Sequence, residues 1–184
     1  AEGKYLLMAT RNGFIKKTAL NEYVSARKSG LLAITLREDD ELIDVRLTDG
    51  QDNVVLVTKC GMCITFDEKD VRPMGRGAQG VIGIRLSDDD CVIGMESIIT
   101  GSNATLLAIT ENGFGKRTEL DEYRVQTRGG KGVMLITDTG TIIRLKVKDI
   151  SILGRSTQGV TLMRTNEGKV VSIETISQED QQEE

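Results

Sequence analysis

Apolar residues along this chain fall in short runs, rich in Val, Ile, Leu and Thr and separated by Gly, Asn and Asp. No stretch sustains the 3.6-residue spacing of a helix, and short runs bounded by turn residues predict antiparallel strands. The runs repeat. An apolar stretch ending in T-x-x-G occurs four times, at Leu6–Gly13, Val54–Gly61, Leu106–Gly113 and Val133–Gly140. A second glycine that opens another apolar run follows each, at Gly30, Gly80, Gly132 and Gly159. The two glycines of a copy lie 17, 19, 19 and 19 residues apart. Further runs, Leu42–Leu47, Val92–Ile98 and Val170–Ile176, come after the second glycine.

A period of about 50 residues with four strands per unit and no helix predicts an all-β fold, a propeller-like array of four-stranded antiparallel blades. The units run over approximately 5–50, 51–101, 102–132 and 133–176. One spacing breaks the rule. From the second glycine to the next T-x-x-G glycine the distance is 31 and then 33 residues, but only 8 between Gly132 and Gly140. The third unit is therefore incomplete by 23 or 25 residues, the part that supplies two strands in its neighbours. The Gly132–Val133 junction reads as a seam: either a segment is deleted, or the sequence as written closes over it. In the second case the intact mass lies well above 20.1 kDa.

Composition narrows the function. With no histidine, triads built on imidazole and the usual histidine zinc sites are excluded. Tryptophan is absent and six aromatics are scattered, which disfavours stacking on single-stranded bases. No apolar run approaches the roughly 18 residues of a membrane span, and Ala1–Lys4 lacks the layout of a secretory signal. Three cysteines, an odd number, fit a reducing, cytoplasmic compartment.

The net charge is −4, but four acids (Glu179, Asp180, Glu183, Glu184) lie in the tail Ser177–Glu184, read as an acidic disordered terminus. The remaining 24 acids balance 24 Lys and Arg, and a neutral body can still carry a basic face. Bound to that face, the tail would compete with an anionic partner.

Cys60-Gly61-Met62-Cys63 is formally C-x-x-C, yet its cysteines occupy repeat slots held by Asn12 and Ile15 in the first copy, so no metal site is assigned. The acidic clusters Glu38–Glu41 and Asp88–Asp90 recur between strands and read as solvated turn tips rather than calcium loops. Basic residues recur in register. Lys16-Lys17, Lys116-Arg117 and Arg144 follow the turn glycine, while Arg27-Lys28, Arg76, Arg128 with Lys131, and Arg155 precede the second glycine. In register they predict a basic rim stripe that tracks the phosphates of duplex DNA by charge and shape. Gln126-Thr127-Arg128-Gly129-Gly130-Lys131-Gly132 reads two ways, as a phosphate-approaching loop and as a glycine-rich connection between blades.

The stretches LMATRNGFIKKTALNEY, VRPMGRGAQGVIGIRL, ITENGFGKRTELDEY and MLITDTGTIIRLKVKDISILGRSTQGVTLMRT resemble the C-terminal domain of DNA gyrase A, the β-pinwheel of type IIA topoisomerases. Gln126–Gly132 is similar to the family's box motif Q-R-R-G-G-K-G, differing at Thr127. That domain typically has more blades than this chain has copies and carries its box in the first. The resemblance implies a monomeric, DNA-wrapping piece that presents a positive crossing for negative supercoiling by the holoenzyme. It implies the remainder of gyrase A and the whole of gyrase B as partners, with ATP and Mg used by other domains and no cofactor here. It also implies a bacterial, nucleoid-associated location and no membrane, with the catalytic tyrosine outside this chain, so that Tyr5, Tyr23 and Tyr123 are not candidates. Two alternatives stay open: a topoisomerase IV-type C-terminal domain that bends DNA without chiral wrapping, and a propeller that serves as a protein-interaction platform.

Overall fold

The computed structural model describes residues 2–24, 30–110, 114–135, 152–154, 160–161 and 170–176. The T-x-x-G motif closes hairpins. Between β1 (Tyr5–Thr10) and β2 (Phe14–Ala19), the Gly13 N–H donates to the Thr10 carbonyl at 3.1 Å and the Phe14 N–H to the Thr10 hydroxyl at 3.2 Å. Between β4 (Asn53–Thr58) and β5 (Met62–Asp67), Gly61 and Met62 repeat both bonds to Thr58, at 3.0 and 3.1 Å. Threonine supplies two acceptors, and the glycines take φ of +87° and +81°, where a side chain is strained.

Most of the clustered acids are exposed at their turns, and one in each cluster also fastens the neighbouring hairpin. Asp40 Oδ1 accepts from the N–H groups of Asn12 and Glu41 at 2.9 and 2.8 Å. Asp90 Oδ1 does the same for Cys60 and Cys91, at 2.9 and 2.8 Å.

The outer strands β3 (Leu42–Thr48) and β7 (Val92–Ile98) pair antiparallel with β1 and β4, Tyr5 facing Thr48 and Asn53 facing Ile98. A third hairpin joins β8 (Thr105–Thr110) to β9 (Phe114–Glu119). Three short strands complete the picture: β6 (Val81–Ile82), β10 (Val133–Met134) and β11 (Val160–Thr161), each directly after a second glycine. With β12 (Val170–Ile176) they build three four-stranded antiparallel sheets, in the orders β3-β1-β2-β6, β10-β5-β4-β7 and β11-β9-β8-β12.

Each sheet is thus finished by the copy that follows it. Val81 faces Ile15, Val133 faces Cys63 and Val160 faces Gly115. The segment leading into each short strand is a strap tied to the same neighbour. Met74, Gln126 and Leu153 N–H groups donate to the carbonyls of Lys17, Thr65 and Arg117 at 2.8, 2.7 and 2.8 Å. The first copy's strap, around Gly30–Ile34, has no preceding sheet in this chain, and Leu32 is 62% exposed.

Three four-stranded sheets form among the described residues, and the fourth copy supplies β10 to the second and β11 and β12 to the third. Val133–Met134, just past the seam, belongs to the second sheet. β12 pairs with β8, Val170 facing Thr110 and Ile176 facing Thr105, the slot that a copy's own outer strand fills in the first two sheets. The residues missing at the seam are those that carry the third copy's outer strand. An unpaired edge is unfavourable, and the next equivalent strand along the chain closes it. Most of the fourth T-x-x-G stretch and the tail Ser177–Glu184 lie outside the described residues.

Apolar clusters sit between successive sheets. Leu7, Ile15, Leu56, Ile64, Phe66, Ile84 and Met95 pack between the first and second. Val55, Val57, Cys63, Ile98, Leu106 and Leu135 pack between the second and third.

Candidate nucleic-acid interface

The middle strands β2 and β9 carry the paired cations that the sequence places on a rim, and the structure corrects this. Lys16, Lys17, Lys116 and Arg117 are buried, at 0%, 4%, 1% and 9% exposure. Alternation along a strand sends neighbours to opposite faces, but in these strands one face meets the adjacent sheet and the other meets the straps. Lys16 Nζ donates to the carbonyls of Ala33 and Arg76, at 2.5 and 2.6 Å, and so ties its own strap to the next one. Lys116 Nζ reaches the Leu135 carbonyl at 3.2 Å, three residues past Gly132 as Ala33 is past Gly30. Arg117 Nε donates to the Thr105 hydroxyl at 2.8 Å.

Lys17 is held in a buried network. Its Nζ donates to the Glu68 carbonyl at 2.9 Å and lies 3.7 Å from Glu68 Oε1, while the Thr48 hydroxyl donates to that carboxylate at 2.6 Å. Burial pushes both lysines below the usual lysine range. For Lys16 the nearby Arg76 adds to the shift, and for Lys17 Glu68 opposes it.

Three predicted residues reach the surface. Arg76 and Arg128 are half-buried and Lys131 is exposed. Arg128 is turned partly inward, its guanidinium donating to the carbonyls of Asp70 and Ile82 at 3.2 and 2.5 Å. The box-like segment is a strap in the sense of its neighbours. Gly129 N–H donates to the Gly83 carbonyl at 2.8 Å, and the Arg85 N–H to the Gly130 carbonyl at 2.9 Å. Gly132, at φ +77°, lies so close to the preceding sheet that a Cβ would meet the Cys63 carbonyl at 2.5 Å. Gly132 thus has a packing reason. Arg27, Lys28, Arg144 and Arg155 lie outside the described residues.

Sequence reasoning missed the exposed cations Lys69, Arg72, Arg85 and Arg124. Two of them share a register that was available in the sequence. Arg72 follows Val71 and Arg124 follows Tyr123, each directly after the short 3-10 turn that ends the hairpin, at the start of successive straps. The straps carry Arg72, Arg76, Arg124 and Lys131 outward at intervals, a basic set displaced from the turn-adjacent lysines.

Cys63 is fully buried, its thiol pushed up to about 12 by burial, and Cys60 is exposed on the turn. Among the described residues no group of three or more Cys, Asp or Glu could hold a metal ion, and no helix is long and apolar enough to cross a membrane.

Known proteins share this arrangement. The family model of the DNA gyrase C-terminal domain, a beta-propeller, matches residues 4–49, 52–98, 104–137 and 133–177, its third and fourth matches overlapping at the seam. DNA gyrase A of Staphylococcus epidermidis is 40% identical over 205 positions, covering 98% of this chain and 23% of that protein. That of Staphylococcus aureus is 39% identical over 208 positions, covering all of the chain and 23% of its own length. The chain spans under a quarter of these relatives. A match of 208 positions to 184 residues leaves 24 positions without a counterpart here. Among solved structures, the C-terminal domain of a DNA topoisomerase IV superposes with TM-score 0.82 at 31% identity, covering 97% of this chain and 63% of that one. A DNA gyrase A C-terminal domain, at TM-score 0.76 and 22% identity over 95% and 66%, shares the fold. By its four repeat matches and its β-pinwheel fold, the chain belongs to the DNA gyrase C-terminal domain family.

Proposed function

We propose that this chain binds duplex DNA along its straps and wraps or bends it, as a portion of a gyrase A protein. The observation that carries the reading is the recurrence of exposed Arg72 and Arg124 at one register on successive straps, with Arg76 and Lys131 further along. Cations spaced along the outside of a curved array neutralise phosphates in turn, and base edges need not be read. A moderate bend costs on the order of 1–6 kcal/mol, so several cations must act together. Wrapping of one hand then presents a crossing to the rest of the enzyme. In this reading the strand passage, its ATP and its Mg belong to other parts of gyrase A and to gyrase B, in the bacterial cytoplasm at the nucleoid.

The experiment is ligation of nicked plasmid over a titration of the protein, followed by measurement of linking number. A shift toward positive values is expected. The likeness to a topoisomerase IV C-terminal domain favours a second reading, bending without handed wrapping, and DNA binding with no shift selects it. Absence of salt-dependent duplex binding overturns both and revives the protein-interaction platform. In a mobility assay, replacing Arg72 and Arg124 by Ala should weaken binding several-fold. It should also reduce the salt slope by about 0.9 for each phosphate that is no longer neutralised.

A further inference from the structure

The straps that carry the exposed cations also carry an apolar row. Pro73, Val125 and Ile152 each lie seven residues before the second glycine of their copy. Each makes the same isolated parallel bridge to the second strand of the preceding hairpin, at Lys17, Thr65 and Arg117 in turn. The backbone therefore fixes their register, and the row passes from one sheet to the next. A residue that served only to pack the strap down would be covered here. Instead Pro73 is exposed, Val125 is 48% exposed and Ile152 47%. Single apolar residues are ordinary on a surface, but three in one register with no polar residue among them form a stripe.

Charge stands beside it. Arg72 and Arg124, both exposed, directly precede Pro73 and Val125. A partner that fits both rows presents anionic groups next to apolar surface. Duplex DNA does so, because its phosphates stand outside the deoxyribose carbons that line the groove walls. Contacts to phosphate alone act through counterion release and fade as salt rises. Covering the apolar row removes hydrocarbon from water, a contribution that salt screening does not weaken. That contribution counts most on the third strap, where the exposed acids Asp121 and Glu122 on the adjoining 3-10 turn offset the charge of Arg124.

We propose that Pro73, Val125 and Ile152 form an uncharged contact row, which packs against the deoxyribose edges of the duplex while the neighbouring arginines take the phosphates. The inference rests on the DNA-binding reading above and adds to it a part of the affinity that salt does not remove.

The test is a mobility-shift titration of the chain with a mixed-sequence DNA duplex over a series of sodium chloride concentrations. Affinities are extrapolated to about 1 M, where counterion release no longer contributes. Pro73→Ser, Val125→Ser and Ile152→Ser together should raise Kd about tenfold at every salt concentration and leave the salt slope unchanged. Arg72→Ala with Arg124→Ala should act the other way, on the slope, with little effect on the extrapolated affinity. Val125→Thr, nearly the same shape, should raise Kd about two- to threefold and serves if the triple variant does not fold. Unchanged Kd in a folded variant, or a loss confined to the slope, would overturn the row and leave the arginines' part standing. Absence of salt-dependent binding by the unsubstituted chain would overturn the DNA reading, and the row with it.

Discussion

At the scale of single residues, position in the repeat decides what each side chain meets. Gly30 and Gly132 share a left-handed backbone, φ +78° and +77°, but only Gly132 is pressed against a neighbouring carbonyl. Gly30→Ala should therefore cost the conformational strain alone, about 1–2 kcal/mol, and Gly132→Ala distinctly more, as read from urea melts. Thiol labelling should discriminate as sharply. Iodoacetamide should modify exposed Cys60 in the native chain and reach Cys63 only on unfolding, which mass spectrometry resolves. Lys16 offers a pH signature. Its pKa is lowered in the fold, by burial first and Arg76 second, so the unfolded chain holds the proton more readily. Stability should rise with pH between the lowered value and the ordinary 10.5, and Lys16→Met should lose part of that rise.

Strands and straps explain what the sequence disclosed and what it withheld. The hairpins were legible because Thr10 and Thr58 with their glycines are a local device, complete within eight residues. The exchange of short strands was not, because Val81–Ile82 and Val133–Met134 are two residues each, too short to carry a period, and their partners lie far upstream. Lys16-Lys17 misled for a related reason. A charged pair in mid-strand normally leaves at least one side chain in water, but here the straps cover the face that the next sheet does not. The register of Arg72 and Arg124 was present in the sequence but was outweighed by the denser clusters beside the turn glycines. At the first junction, Lys17→Met should destabilise by on the order of 3 kcal/mol, because Glu68 is left buried without its cation. The double change Lys17→Thr with Glu68→Leu, copying Thr65 and Leu120 at the equivalent positions of the next copies, should recover much of that loss in the same melts.

For the whole molecule, the seam at Gly132 is expected to direct how the copies share strands among the sheets. Inserting a copy of Val81–Thr105 after Gly132 restores the 33-residue spacing. β12 should then leave β8 and pair within its own copy. Amide cross-peaks of Val170–Ile176 should move from Thr105–Thr110 to the fourth T-x-x-G stretch, and persistence of the β8 pairing would show that the seam is not what directs it.

The exchange of strands also sets a timetable for a chain that emerges from the ribosome one end first. β2 ends at Ala19, yet the strand that covers its edge begins at Val81; β5 ends at Asp67 and waits for Val133. Each blade stands with a bare edge until the following repeat has been synthesised, so completion proceeds as a wave that runs one repeat behind translation. Slow stretches of message placed after Ile82 and Met134 would let each edge close before the next is exposed, whereas a stall between Ala19 and Val81 leaves an edge open to misassembly with a neighbouring nascent chain.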